Sequence, residues 1–254
     1  MDRMERETLV EYTLNMGRQM MECGAEAWRA ENTMARILRA YHLEVLDAHA
    51  LATQTAVTVK DGDGSHYTST CMVLPDKTGT DLERLELINA AARAICDAPP
   101  AVGELPVSID PPRARWSWKE LWGYLLGSGA FAVFFGGTLL DGVAAAGIAF
   151  FAYLMEQFRR VHRQHRIIYT LIASFLSGLA ACFCRGVGFG DTLDMVVIGT
   201  IMIFIPGLAL VNGVRELFYS DILTGVYRML EALLSTGAIA VGYAVALMIG
   251  GGLL

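Results

Sequence analysis

From residue 121 onward the chain has no lysine, and its few acids are matched in number by arginines; nearly everything else there is apolar. A bilayer core demands about 20 mainly apolar residues per helix, because a backbone polar group left unpaired in hydrocarbon costs several kcal/mol. Runs of that kind fall near 121–138, 139–155, 167–184, 193–211 and 230–254. The expected fold is an α-helical integral membrane protein with about five transmembrane helices, preceded by an N-terminal cytoplasmic α+β domain. The boundaries read as 1–98 for that domain, 99–118 for a linker and 119–254 for a transmembrane domain.

Charge supplies the orientation, since loops on the cytoplasmic side collect Lys and Arg. Arg113, Arg115 and Lys119 precede the first run, and Arg159, Arg160, Arg163 and Arg166 separate the second from the third. Both groups are expected in the cytoplasm. The neutral-to-acidic RGVGFGDTLD follows the third run and is expected outside, with Arg215 and Arg228 inside and the C-terminus outside. The net charge of −6 resides wholly in residues 1–120, so no basic surface invites nucleic acid. The opening MDRMERETLVEYTLNMG lacks the apolar core and cleavage site of a secretory signal.

Five cysteines without framework spacing suit a reducing compartment. Cys182 and Cys184 in ACFC read as small residues of a membrane helix, and His162 and His165 in VHRQH lie among arginines that repel a cation. GVGFGD has no preceding strand and reads as an interhelical turn. DGDGS at 61–65 resembles the start of a calcium loop, but Met72 stands where the twelfth-position acid belongs. No metal and no cofactor is expected.

In the first half Leu9, Tyr12, Thr13, Met16 and Met20 recur at helical spacing and Gly24 stands at a helix end. Met34, Ile37, Leu38 and Tyr41 share one face of a second helix. Between Glu44 and Leu74 the β-branched strings TQTAVTVK and HYTSTCMVL flank Asp61-Gly62-Asp63-Gly64, a hairpin pattern. Thr80 with Glu83 reads as a capping box for a helix carrying Leu85, Ile88, Ala92 and Ile95. The stretch PPAVGELPVSIDPPRARW holds five of the seven prolines and reads as an extended linker.

One stretch, IMIFIPGLALVNGVRELFYSDILTG, interrupts an apolar run with Pro206 and Gly207 and then adds Asn212, Arg215, Glu216 and Asp221. Proline breaks a helix interior by removing a donor and clashing with the preceding turn. Asn212, Arg215, Glu216 and Tyr219 then fall at i, i+3, i+4 and i+7, one polar stripe on a continuing helix. An arginine can hold a carboxylate bidentately while an amide orients it and a neighbouring acid takes part in proton coupling. The same residues are also what a helix shows where it emerges at the cytoplasmic interface. In EAWRAEN, Glu26, Arg29, Glu31 and Asn32 can form a gating or regulatory surface. That domain could instead be a membrane-tethered enzyme or a metabolite sensor, but no Ser-His, Cys-His or metal-spaced set supports hydrolysis.

The strings GAEAWRAENTMARI (24–37) and PGLALVNGVRELFYSDILTGVYRMLEALL (206–234), in this order, resemble the threonine/serine exporter family of bacterial membrane transporters. The resemblance implies a secondary-active exporter of small hydrophilic metabolites, with a cytoplasmic N-terminal domain, in the bacterial inner membrane. Longer members continue into a second membrane block, whereas this sequence ends at Leu254. It therefore looks like the larger subunit of the split type, associated with dicarboxylate (succinate) export. The implied partners are a small all-membrane subunit of the same family, a small carboxylate substrate and the lipid bilayer, with a higher oligomer left open.

Overall fold

The structure, a computed structural model, describes residues 3–60, 64–74, 79–106, 117–162, 166–219 and 221–251. The Asp61 to Asp63 turn, the linker arginines Arg113 and Arg115, and Arg163 with His165 lie outside the described residues. The chain divides into two compact units, one of residues 1–113 with 208–229 and the other of 114–207 with 230–254.

The first unit opens with α1 (Arg3–Glu22) and α2 (Ala27–Ala40), followed by β1 (Glu44–Ala50), β2 (Gln54–Lys60), β3 (His66–Met72) and α3 (Leu82–Asp97). The strands form an antiparallel meander in the order β1-β2-β3. Along β2, Thr55, Val57 and Val59 are buried while their neighbours are not, so the period of two selects one inward face. The helices lie on that face, and Leu9, Leu14, Met20, Met34, Ile37, Leu38, Val57, Val59, Ile88 and Ile95 form a common core. The apolar spacing expected for the first two helices is thus the spacing that packs. The hairpin expected between the two β-branched strings is present as β2 and β3, with Val57 opposite Ser69 and Val59 opposite Tyr67.

One local expectation needs correction. The N-cap of α3 is Asp81, whose carboxylate accepts the Arg84 N–H at 3.0 Å; Thr80 does not take that place. Both are good capping types, and the helix starts one residue later than the capping-box pattern requires. Beyond α3, Leu105 is buried against the core, and a short 3-10 turn spans Val102–Glu104.

The second unit holds α4 (Trp118–Phe134), α5 (Leu139–His162), α6 (Arg166–Gly186) and α7 (Leu193–Phe204). After Pro206 comes α8 (Gly207–Phe218), and α9 (Ile222–Gly251) closes the described chain. Among the described residues three helices are long and apolar enough to cross a membrane: α5, α6 and α9. A fourth span results if α7 and α8, interrupted at Ile205 and Pro206, count as one. At 17 residues α4 reaches about 26 Å, short of a hydrocarbon core of about 30 Å.

Interior contacts of this unit rest on small side chains: Ala132, Ala144, Ala145, Ala181, Val196 and Val197 are buried together with Ile148, Ile239 and Tyr243. Helices in lipid gain little from apolar burial against one another, so close backbone approach and occasional hydroxyl pairs hold them. Tyr243 donates to the Thr200 hydroxyl at 2.8 Å. The fully buried Asp141 accepts the Asp191 and Thr192 N–H groups at 2.7 and 2.9 Å and the Thr138 N–H at 2.9 Å. One carboxylate thus caps the start of α5 and ties down the segment leading into α7.

Candidate functional site

The two strings that carry the family resemblance meet within the first unit. Their meeting begins with how α1 ends. Gly24 has φ +85°, its N–H bonds the Met21 carbonyl at 3.1 Å, and the Ala25 N–H bonds the Met20 carbonyl at 3.0 Å. This is a Schellman termination, which needs a left-handed residue and so favours glycine. A side chain here would also meet the Gly79 carbonyl oxygen at 2.9 Å. The turn reverses the chain into α2 and leaves the Gly24 and Ala25 carbonyls available as acceptors.

Those acceptors are taken by α8 and α9. Asn212 Nδ2 donates to the Gly24 carbonyl at 3.2 Å, and an Arg228 guanidinium nitrogen donates to the Ala25 carbonyl at 2.5 Å. Next in the turn, Glu26 occupies the N-cap position of α2 with extended backbone, but its side chain makes no capping bond. Its carboxylate pairs instead with Arg215 through one oxygen and with Arg29 Nε at 3.3 Å through the other. The vacant capping role passes to a residue from far along the chain: the Ala27 N–H donates to Glu216 Oε1 at 3.1 Å. A carboxylate at a helix N-terminus is favoured by the unpaired N–H groups and the partial positive charge there. The acids have exchanged places, Glu26 serving the arginine of α8 and Glu216 serving the helix that Glu26 begins.

Glu216 is almost fully buried, with 1% of its surface exposed, and it pairs with Arg228 at 3.3 Å. An isolated buried carboxylate is costly, and the arginine together with the N–H dipoles of α2 offsets part of that cost. Glu216 Oε2 is buried with no hydrogen-bond partner among the described residues. The pair forms because α8 and α9 approach closely at two glycines, where a Cβ on Gly225 would sit 2.9 Å from the Gly213 carbonyl oxygen. Trp28 packs against Tyr219 with ring centroids 5.7 Å apart, and the Arg29 guanidinium lies 5.6 Å from the Trp28 ring centre.

Of the residues singled out from sequence, Asn212, Arg215, Glu216, Glu26 and Arg29 therefore share one network. Asp221 acts locally, its carboxylate accepting the Thr224 N–H at 3.2 Å and opening α9. Glu31 faces β1, bonding His49 Nδ1 at 3.1 Å and the Ala50 N–H at 3.0 Å, and Asn32 is exposed. Pro206 is buried and Gly207 starts α8, so the expected break is real as an interruption of helix, and both residues belong to the second unit. Of the polar stripe, Asn212, Arg215 and Glu216 lie on α8, the helix that follows the break, and Tyr219 lies one residue past its last residue, its N–H still bonding the Arg215 carbonyl at 3.1 Å. Sequence reading missed Arg228 as a member of the site. Its signal was available, a charge on a mainly apolar helix, which requires a partner.

A family model described as "Putative threonine/serine exporter" (ThrE) matches residues 11–250. No curated protein and no solved structure matches the chain. The family match runs through the loop 24–27, the helices α8 and α9 that grip it and every candidate membrane span. The chain belongs to the threonine/serine exporter family, a family of membrane transporters.

Proposed function

We propose that the chain is the larger subunit of a two-component secondary exporter. It moves small carboxylate-bearing metabolites, a dicarboxylate such as succinate or the amino acids threonine and serine, out across the bacterial inner membrane. The observation that carries this reading is the family match over residues 11–250, joined to the arginine-bearing face of α8. Arg215, whose side chain is 51% exposed, is the cation for a substrate carboxylate, and Asn212 orients it. Pro206 and Gly207 provide the interruption that lets a membrane helix present polar groups, as broken helices do in transporters. The N-terminal domain faces the cytoplasm and the C-terminus the outside, an orientation that takes the α7 to α8 pair as one crossing and α4, about 26 Å long, as a crossing of locally thinned bilayer. A small all-membrane subunit of the same family completes the path; the resemblance to split family members supports this part.

Efflux from intact cells tests the reading. Expression of this chain with the small subunit lowers intracellular succinate, threonine or serine, whereas this chain alone leaves all three unchanged. Arg215→Ala abolishes the effect at equal membrane abundance. A C-terminal alkaline phosphatase fusion is active in the expected orientation. Solute efflux from liposomes containing only the purified chain refutes the two-component assignment, and full export by Arg215→Ala refutes the role of Arg215.

A further inference from the structure

Four consecutive residues, 24–27, engage polar groups from both α8 and the start of α9. Asn212 holds the Gly24 carbonyl, Arg228 the Ala25 carbonyl, Arg215 the Glu26 carboxylate and Glu216 the Ala27 N–H. Glu26 holds Arg215 through Nη1, so a solute carboxylate that takes the guanidinium edge containing this nitrogen must first displace Glu26. Glu26 is itself held for release: its own helix N-terminus is already capped by Glu216, and Arg29 on α2 remains beside it as a second cation. The carboxylate therefore keeps a partner if Arg215 is taken away.

We propose that the Glu26 carboxylate is a tethered competitor for the anion subsite of Arg215 and Asn212, so that a carboxylate solute binds by displacing the loop 24–27. This rests on the reading that Arg215 receives the substrate carboxylate. The loop then sets the threshold for loading: apparent affinity falls by the fraction of time the subsite is closed. Carboxylate solutes are selected because only they replace the ion pair they break, and neutral solutes leave it in place. Displacement moves Glu26 and with it the neighbouring Trp28, whose ring rests on Tyr219.

The test uses the full-length chain in detergent with Trp28 as its single tryptophan, after Trp116→Phe, Trp118→Phe and Trp122→Phe. Succinate and L-threonine are the probes, glycerol is the neutral control, and binding is followed by calorimetry and Trp28 fluorescence. The Glu26→Gln variant binds at least one carboxylate probe roughly 10-fold more tightly than its parent, as removal of a closed state populated about nine-tenths of the time requires. Glu26→Asp, which keeps the charge with a shorter reach, falls between. Trp28 emission shifts on binding to the parent protein, and glycerol changes nothing. Equal affinities of the parent and the Glu26→Gln variant, or binding without a Trp28 response, overturn the competitor and leave the carboxylate subsite standing. Absence of binding by either protein overturns both.

Discussion

Glu216 shows how much one buried side chain is asked to hold. It caps α2 through the Ala27 N–H, neutralises Arg228 and is almost entirely removed from solvent. Breaking such a pair by deleting one partner leaves an uncompensated buried charge, whereas replacing both with apolar groups of similar volume is close to neutral. Arg228→Met should therefore cost about 3–5 kcal/mol, and adding Glu216→Leu should recover much of it. Thermal unfolding of the parent, the single variant and the double variant in detergent measures this. A double variant no more stable than Arg228→Met contradicts the pairing. The types at these positions were legible in the sequence, since Asn212, Arg215 and Glu216 stand out against an apolar background. The roles were not, because the alternatives of solute site and interfacial charge differ only in what lies opposite, and nothing local states that.

Elements were legible to the extent that they follow local rules. The helices of the first half declared themselves by period, and the left-handed Gly24 was placed correctly at the end of α1. The end of α8 at Phe218 carries no glycine or proline to mark it in the sequence. The helix pair α8 and α9 depends on the contact of Gly213 with Gly225, which sequence alone does not distinguish from any other glycine. Gly225→Ala should push the helices apart and lower the yield of folded protein. Gly237→Ala, on the same helix with nothing within 4 Å of the added methyl group, should be neutral or slightly stabilising. Folded yield by size-exclusion chromatography compares them directly. Equal yields count against the close packing of α8 and α9.

At the scale of the whole molecule, the informative contact is the one that composition, period and spacing cannot reach. Ala27 and Glu216 lie 189 positions apart, and their hydrogen bond joins the two strings that resemblance had marked only as separate landmarks. The hydrophobic division of the chain was readable because it is one-dimensional. The grouping of residues 208–229 with the N-terminal domain was not, because it depends on pairing across the chain. The family match covers both strings and says nothing of their meeting.

The meeting itself can be measured at one amide. The first N–H groups of a helix have no partner within it, so Ala27 is protected from hydrogen exchange in this structure by the carboxylate of Glu216. Hydrogen exchange at Ala27 in the full-length chain, compared with the Glu216→Leu/Arg228→Met variant, isolates that bond, and amides in the middle of α2 such as Ile37 serve as the internal reference. A hydrogen bond to a charged acceptor is worth about 1.5–3 kcal/mol, so exchange at Ala27 should accelerate roughly 10- to 100-fold in the variant while Ile37 is unchanged. Identical exchange at Ala27 in both proteins would contradict the account, because the Ala27 N–H would then be held by something other than the Glu216 carboxylate.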